Sequence, residues 1–368
     1  MRNKLITIAL IALILPSPLR AQNAGKYPRL IRIDSVSGGH VQGICVDENN
    51  KYVYLSFTTK LVKADFNGRI LGTIEGLYGH LGCIVYNKTD GKVYGTLEYK
   101  NDEIGKGILQ QQGKRIPNTT AFYVAIFDVD KMRGTRMGSS KNLMRTVYLN
   151  EVAYDYAAKV KQKGKDTLHR YGCSGIDGIC FGPAFGKSKG KNYLTVAYGI
   201  YSDTLRTDND YQVLLQYDVS KYSSWQKYEQ PLLQDKPHRN GPLRPHSKTF
   251  LFTGNTTYGI QNLEYDGREA KWYLAVYPGH KTQYPNYNLY SFSAKRKPSK
   301  RKLTGVDYDE QPRRTLDYDK GWHYPYGSTG LCALSTGDFY VCEATHQGKL
   351  NGAILHLVRP NKERGFSE

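Results

Sequence analysis

The chain has 368 residues and carries 52 Lys and Arg against 33 Asp and Glu, a formal net charge of +19. That length admits one large domain or two ordinary ones. Beyond the N-terminus no run approaches the ~20 apolar residues of a membrane-spanning helix, which excludes such a helix there.

Arg2 and Lys4 precede the apolar run "LITIALIALIL" (5–15), which Pro16 and Pro18 break before the small residue Ala21. This pattern predicts a cleaved secretory signal peptide over 1–21, leaving 22–368 as one exported domain, periplasmic or secreted. A basic exported protein has few nucleic-acid partners. Acidic glycans are the expected partner, and a monomer the expected state. The six cysteines invite a disulfide reading. Four recur inside apolar strands, in "GICVD", "GCIVY", "GICFG" and "GLCAL", where a small buried thiol fits better.

Residues 39–76 read as four strands, 41–47, 52–58, 61–66 and 70–75, with period-two alternation in "KYVYLSF" and turn chemistry in "DENN" and "FNGR". Four antiparallel strands in about forty residues is the size of a propeller blade. A second unit begins at "GHLGCIVY" and continues through "KVYGTLEY", "AFYVAIFDVD" and "MRTVYLNE". "NEVAYDYAAKVKQKG" (150–164) is the best short helix. A third unit runs "YGCSGIDGICFG", "NYLTVAYGIYS", "YQVLLQYDVS" and "QKYEQPLL". A fourth runs "TTYGIQNLEYD", "KWYLAVYPG", "YNLYSFS" and a short strand near Leu303. The last, "YPYGSTGLCALS", "GDFYVCEA" and "GAILHLVRP", lacks a strand, which "YPRLIRIDSV" (27–36) can supply. The prediction is an all-β propeller of five four-stranded blades closed by an N-terminal strand, or six or seven blades if the insertions hold further strands.

In such a ring the first strand of each blade lines the axis. The starts of those strands read Gly39-His40, Gly79-His80, Tyr171-Gly172, Tyr258-Gly259 and Tyr326-Gly327, a circle of rings around one mouth. Just inside follow the polar residues Gln42, Asp177, Gln261 and Asn262. A polar ring inside a buried channel must be hydrogen-bonded, hydrated or metal-bound. Water is the plainer occupant, and Asp177 could offer one carboxylate to an axial cation such as calcium. No cofactor is otherwise indicated. Glu98 in "GTLEYK" and Glu343 in "VCEATH" end second strands, where an apolar setting can raise a carboxyl pKa for acid–base work. Tyr198 and Arg170 stand near the third start. The loop "AKRKPSKRK" (294–302) suggests contact with a polyanion.

This exported, basic, Tyr-rich pattern resembles the carbohydrate-active propellers of polysaccharide-degrading bacteria. One group comprises propeller polysaccharide lyases and the related rhamnosyl-glucuronate-cleaving enzymes, which use histidine with tyrosine and arginine. The other comprises five-bladed glycosidases, which use carboxylates around the axis. The first likeness implies a lyase on a uronate glycan. Arg170 or a nearby lysine would neutralise the carboxylate. His40 or His80 would take the proton, and Tyr171 or Tyr198 would protonate the leaving oxygen. Tyr258, Tyr326, Gln261 and Asn262 would bind the sugar. The second likeness implies three axial carboxylates, of which Asp177 is the one matched here, and a hydrolase using Glu98 and Glu343 is a separate alternative. A non-catalytic glycan- or protein-binding propeller is the alternative from another class.

Overall fold

The computed structural model describes residues 25–111, 113, 120–140, 142–225 and 237–368. The signal peptide at 1–21 and the strand expected at 226–233 lie outside the described residues.

Five blades surround one axis. Blade I contains Val41–Asp47, Tyr52–Phe57, Lys60–Asp65 and Ile70–Glu75, with Met137–Gly138 added in parallel at its edge. Blade II contains His80–Asn87, Lys92–Tyr99, Ala121–Phe127 and Met144–Tyr148. Blade III contains Cys173–Pro183, Asn192–Ile200, Tyr211–Tyr217 and Ser247–Phe252. Blade IV contains Thr256–Asp266, Lys271–Pro278, Leu289–Ser293 and Lys320–Trp322. Blade V contains Leu331–Ala333, Phe339–Gln347, Leu350–Asn361 and, as its fourth strand, Leu30–Val36 from the other end of the described chain.

That closure is the one expected from sequence. Ile31 and Ile33 pair with Leu355 and Ala353 and are fully buried, while Arg32 between them is exposed. The alternation of Leu30–Val36 is thus met by an edge that would otherwise stay open.

Three expectations need correction. The fourth strand of blade III is Ser247–Phe252, paired with Tyr211–Tyr217. The strand expected near Leu303 does not complete blade IV. Instead Ser299–Arg301 and Arg313–Asp317 form a hairpin that extends blade III, and Leu303 is a buried packing residue. The helix at 150 stops at Ala157, because Ala158 is extended and Lys159–Gln162 turns back on Lys165–Leu168 around Gly164 at φ +76°. A helix at Glu103–Gln111 was not foreseen.

The tyrosines mostly pack. Tyr54, Tyr123, Tyr198, Tyr217, Tyr222, Tyr290 and Tyr340 are among the largest fully buried side chains. All six cysteines are free and buried.

Truncation of the closing strand gives the first test. Ile33→Ala removes a fully buried side chain at the ring's seam and should lower unfolding free energy by about 2–4 kcal/mol. Urea unfolding should show this as a lower midpoint. A loss below about 0.5 kcal/mol would mean that the strand does not close the ring.

Candidate functional site

The innermost strands are irregular where they meet the axis. Register breaks occur between Val41 and Gly43, Leu81 and Ile84, Ile176 and Ile179, and Ile260 and Asn262. Each break frees the residue it skips from the ladder, which is how a β-bulge re-aims a side chain. Gln42, Asp177 and Gln261 are skipped in this way; in blade II the equivalent place is taken by Gly82. A Cβ on Gly82 would lie 3.1 Å from Asp177 Oδ1 and 2.6 Å from Thr96 Oγ1. The missing side chain is the room that the Asp177 carboxyl occupies.

His80 and Glu98 face each other across blade II. Glu98 is buried, and its Oε1 lies 2.6 Å from Lys100 Nζ. Its Oε2 accepts the Ile176 amide of blade III at 2.9 Å. Gly175, at φ +134°, makes this approach feasible, since a Cβ there would stand 2.0 Å from Glu98 Oε2. Lys100 also donates to the Ser174 carbonyl at 2.8 Å and lies 3.5 Å from Asp102. Asp177 Oδ2 accepts from the Gln261 amide at 3.2 Å. Its Oδ1 is 3.9 Å from His80 Nδ1, beyond hydrogen-bond reach. His80 Nδ1 is buried and has no hydrogen-bond partner.

These surroundings set the charges. Burial, then the Lys100 ammonium, pushes the His80 imidazole down to about 3, so it is neutral at ordinary pH. Burial raises Asp177 well above the usual carboxylate range, and the Glu98 carboxylate adds to the rise. Burial also raises Glu98, opposed chiefly by Lys100. The mouth therefore joins two carboxyls that burial holds above the usual range, one of them paired to Lys100, and a neutral imidazole.

The expected site residues divide into two groups. His40 stands exposed at the mouth, accepting from the Gln42 amide at 3.0 Å. Gln261 and Asn262 line the channel, and Asn262 donates to the carbonyls of Gln42 and Ser328, both at 3.0 Å. Tyr258 is 49% exposed at the strand start, at φ +65°. The others have partners elsewhere. Tyr198 is fully buried and donates to Asp155 at 2.8 Å. Tyr171 is buried and donates to Asp309 at 2.5 Å. Arg170 pairs with Asp155 at 3.5 Å and covers the Tyr154 ring. These three gather around Lys248 of the fourth strand of blade III and Asp155 of the helix Asn150–Ala157, not around His80. Glu343 is 38% exposed and accepts from His356 at 2.9 Å, and the His356 ring stacks on Tyr326. It is not Glu98's counterpart in burial.

Sequence reading missed Lys100 and Tyr277. Tyr277 stands one residue before the end of the second strand of blade IV, is bonded to Ser328, and is close enough to feel the Asp177 charge. It stands one residue past Val276, the partner of Ile260, as Glu98 stands one past Leu97, the partner of Leu81, and that parallel was the available signal. As for a cation, no group of three or more His, Cys, Asp or Glu suited to a metal occurs among the described residues.

No family model matches the chain, and no curated protein does. Among solved structures it is similar to the GH43_1 enzyme from Xanthomonas citri complexed with xylose, at 10% identity and a TM-score of 0.42, covering 92% of this chain and 93% of that one. A second structure of GH43_1 enzyme from Xanthomonas citri gives 11% identity and a TM-score of 0.41, over 92% and 94%.

The Asp177 environment has a pH signature. A carboxyl with a raised folded pKa contributes stability below its unfolded value near 3.8, and that stability is lost as pH rises through the folded value. Asp177→Asn avoids the loss. Its melting temperature should differ little from wild type near pH 4 and exceed it increasingly toward pH 8. A difference that stays flat over that range would show that Asp177 is not held protonated.

Proposed function

We propose that this propeller is a carbohydrate-active enzyme that cleaves a glycosidic bond at the axial mouth by general acid–base chemistry. The reading is carried by the convergence of Asp177, Glu98, His80 and Lys100 at one end of the channel, where the exposed Tyr258 also begins its strand. Fold alone would not license it. Two carboxyls whose surroundings separate their protonation are the usual equipment for acetal cleavage.

In this scheme Asp177 gives its proton to the glycosidic oxygen as the bond to the anomeric carbon breaks. Glu98, whose ionised form Lys100 favours, faces the positive charge that develops on the sugar ring and takes the proton of the attacking water. Gln261 fixes Asp177 through its Oδ2, leaving Oδ1 as the oxygen free to carry the proton. Tyr258 supplies an aromatic face for a sugar, with its polar tip in water.

A second reading has its own observation. The neutral His80 has an unpartnered Nδ1, and Tyr277 lies near enough to feel the charge of the same Asp177. On a uronate, His80 could remove the C5 proton while Tyr277 protonates the leaving oxygen and Lys100 neutralises the carboxylate. The tyrosines first assigned this role, Tyr171 and Tyr198, are committed to Asp309 and Asp155.

One assay separates the two. Mature protein is incubated with a panel of neutral and uronate oligosaccharides, and reducing ends and the ultraviolet absorbance of unsaturated uronates are followed together. Reducing ends without absorbance, lost at least 100-fold in Asp177→Asn, is the expected result. Absorbance lost in His80→Ala but retained in Asp177→Asn would replace hydrolysis by elimination. Silence in both channels from folded wild-type protein would leave a binding propeller.

A further inference from the structure

The two ends of the channel differ in charge pattern, and the end away from the mouth carries a feature that acid–base chemistry does not use. First strands begin at the mouth, so the turn after Pro183 in blade III lies at the far end. The third strand of blade IV also runs away from the mouth, so the segment after Ser293 lies there too. These two segments touch. The Gly186 amide donates to the Ala294 carbonyl at 2.9 Å, and a Cβ on Gly186 would meet Lys297 Cα at 3.3 Å. The 11-residue first strand sets them roughly 30 Å from the mouth.

Together they present Lys187, Lys189, Lys295, Lys297, Lys300 and Lys302, all exposed. None of the six has an ion-pair partner among the described residues, whereas the neighbouring Lys191, Arg296 and Arg301 are paired with Asp218, Asp319 and Asp317. The acids near the patch are thus already taken by other cations. Between the lysines stand Ser188, Gly190, Pro298 and Ser299, with no exposed aromatic or large aliphatic side chain. A membrane-docking face normally adds such apolar residues for insertion. This one offers charge alone, along an extended edge at Ser299–Arg301 that suits a linear polymer.

We propose that the paired segments 187–191 and 294–302 form a docking surface for a linear acidic polysaccharide, separate from the mouth. This rests on the reading that the protein acts on glycans, and it adds that the polymer is anionic. A chain held here stays near the enzyme between cleavage events, because many weak, mobile contacts retain a polyanion without fixing its register. Attraction of this kind weakens steeply with salt.

The test compares two variants of equal charge in the full protein. One is Lys295→Gln/Lys297→Gln/Lys300→Gln/Lys302→Gln. The control is Lys51→Gln/Lys106→Gln/Lys163→Gln/Lys349→Gln, whose lysines are spread over the rest of the surface. Binding to soluble polygalacturonate, to dextran and to vesicles of phosphatidylcholine and phosphatidylglycerol is measured from 20 to 300 mM salt. Wild type should bind polygalacturonate with strong salt dependence and leave dextran unbound. The patch variant should lose at least tenfold in affinity and show a shallower salt slope, and the control less than twofold. Cleavage of a short oligosaccharide by the patch variant should match wild type. Equal losses in both variants would overturn the proposal in favour of diffuse net charge. Stronger binding to the vesicles than to the polymer would overturn it in favour of a lipid surface. Because binding is read at equilibrium, an inactive protein that still binds through the patch would count against the mouth chemistry and not against this surface.

Discussion

The contact on which the site depends is the buried pair of Glu98 and Lys100, because it joins blade II to blade III at the axis. Glu98 accepts the Ile176 amide, and Lys100 donates to the Ser174 carbonyl two residues earlier in the same strand. An ion pair taken out of water is weak evidence for net stability, but removing one partner strands the other, typically at about 3–5 kcal/mol. The pair therefore locks the two blades at one spacing. That spacing decides how close His80 and Asp177 can come. Its charges also reach the neighbours: burial raises Asp177 and the Glu98 carboxylate adds to the rise, while burial lowers His80 and the Lys100 ammonium adds to the fall. One contact thus bears on geometry and protonation together.

Much of the fold was legible because sheet packing writes itself into sequence with a period of two. The strands of blade I stand within a residue of their expected bounds, those of blade II start within a residue of theirs, and the N-terminal strand closes blade V as its alternation suggests. Expectation failed where pairing was decided far along the chain. The hairpin of Ser299–Arg301 and Arg313–Asp317 adds to blade III across the sequence of blade IV, and nothing local distinguishes that edge from its neighbour. The basic stretch at 294–302 was visible as composition, but its contact with the 187–191 turn was not.

The site was half legible for a related reason. Histidine beside glycine marked two strand starts, and polar residues in apolar strands marked Gln42, Asp177, Gln261 and Asn262. Proximity in sequence was a poor guide to direction. Tyr171 and Arg170 precede the same strand that bears Asp177, and Tyr198 pairs with Ile176 in that sheet, yet all three reach Asp155 or Asp309 beside the blade. Successive strand residues point to opposite faces, so a neighbour in sequence is often on the wrong side. Lys100 and Tyr277 escaped because both stand at the mouth ends of second strands, Lys100 just past Tyr99 and Tyr277 one before Pro278, and their role depends on bulges in first strands that sequence does not announce.

Polar groups in the channel mainly hold the ring together. Ser56 of blade I donates to the Gly82 carbonyl of blade II, and Thr96 of blade II to the Asp177 carbonyl of blade III. Gln261 of blade IV reaches Asp177, and Asn262 reaches both Gln42 of blade I and Ser328 of blade V. Each such bond satisfies a buried group that would otherwise cost about 1–3 kcal/mol. A channel built this way would be wholly structural if every partner were supplied. At the mouth it is not: His80 Nδ1 has no hydrogen bond, and Asp177 Oδ1 approaches it without forming one. The free imidazole nitrogen and the carboxyl oxygen face each other where the strand of blade II has a glycine instead of a side chain. The ring bonds around the axis are thus complete on either side of this pair, and the pair itself is left open at the mouth, beside the Glu98–Lys100 contact on which the proposed chemistry rests.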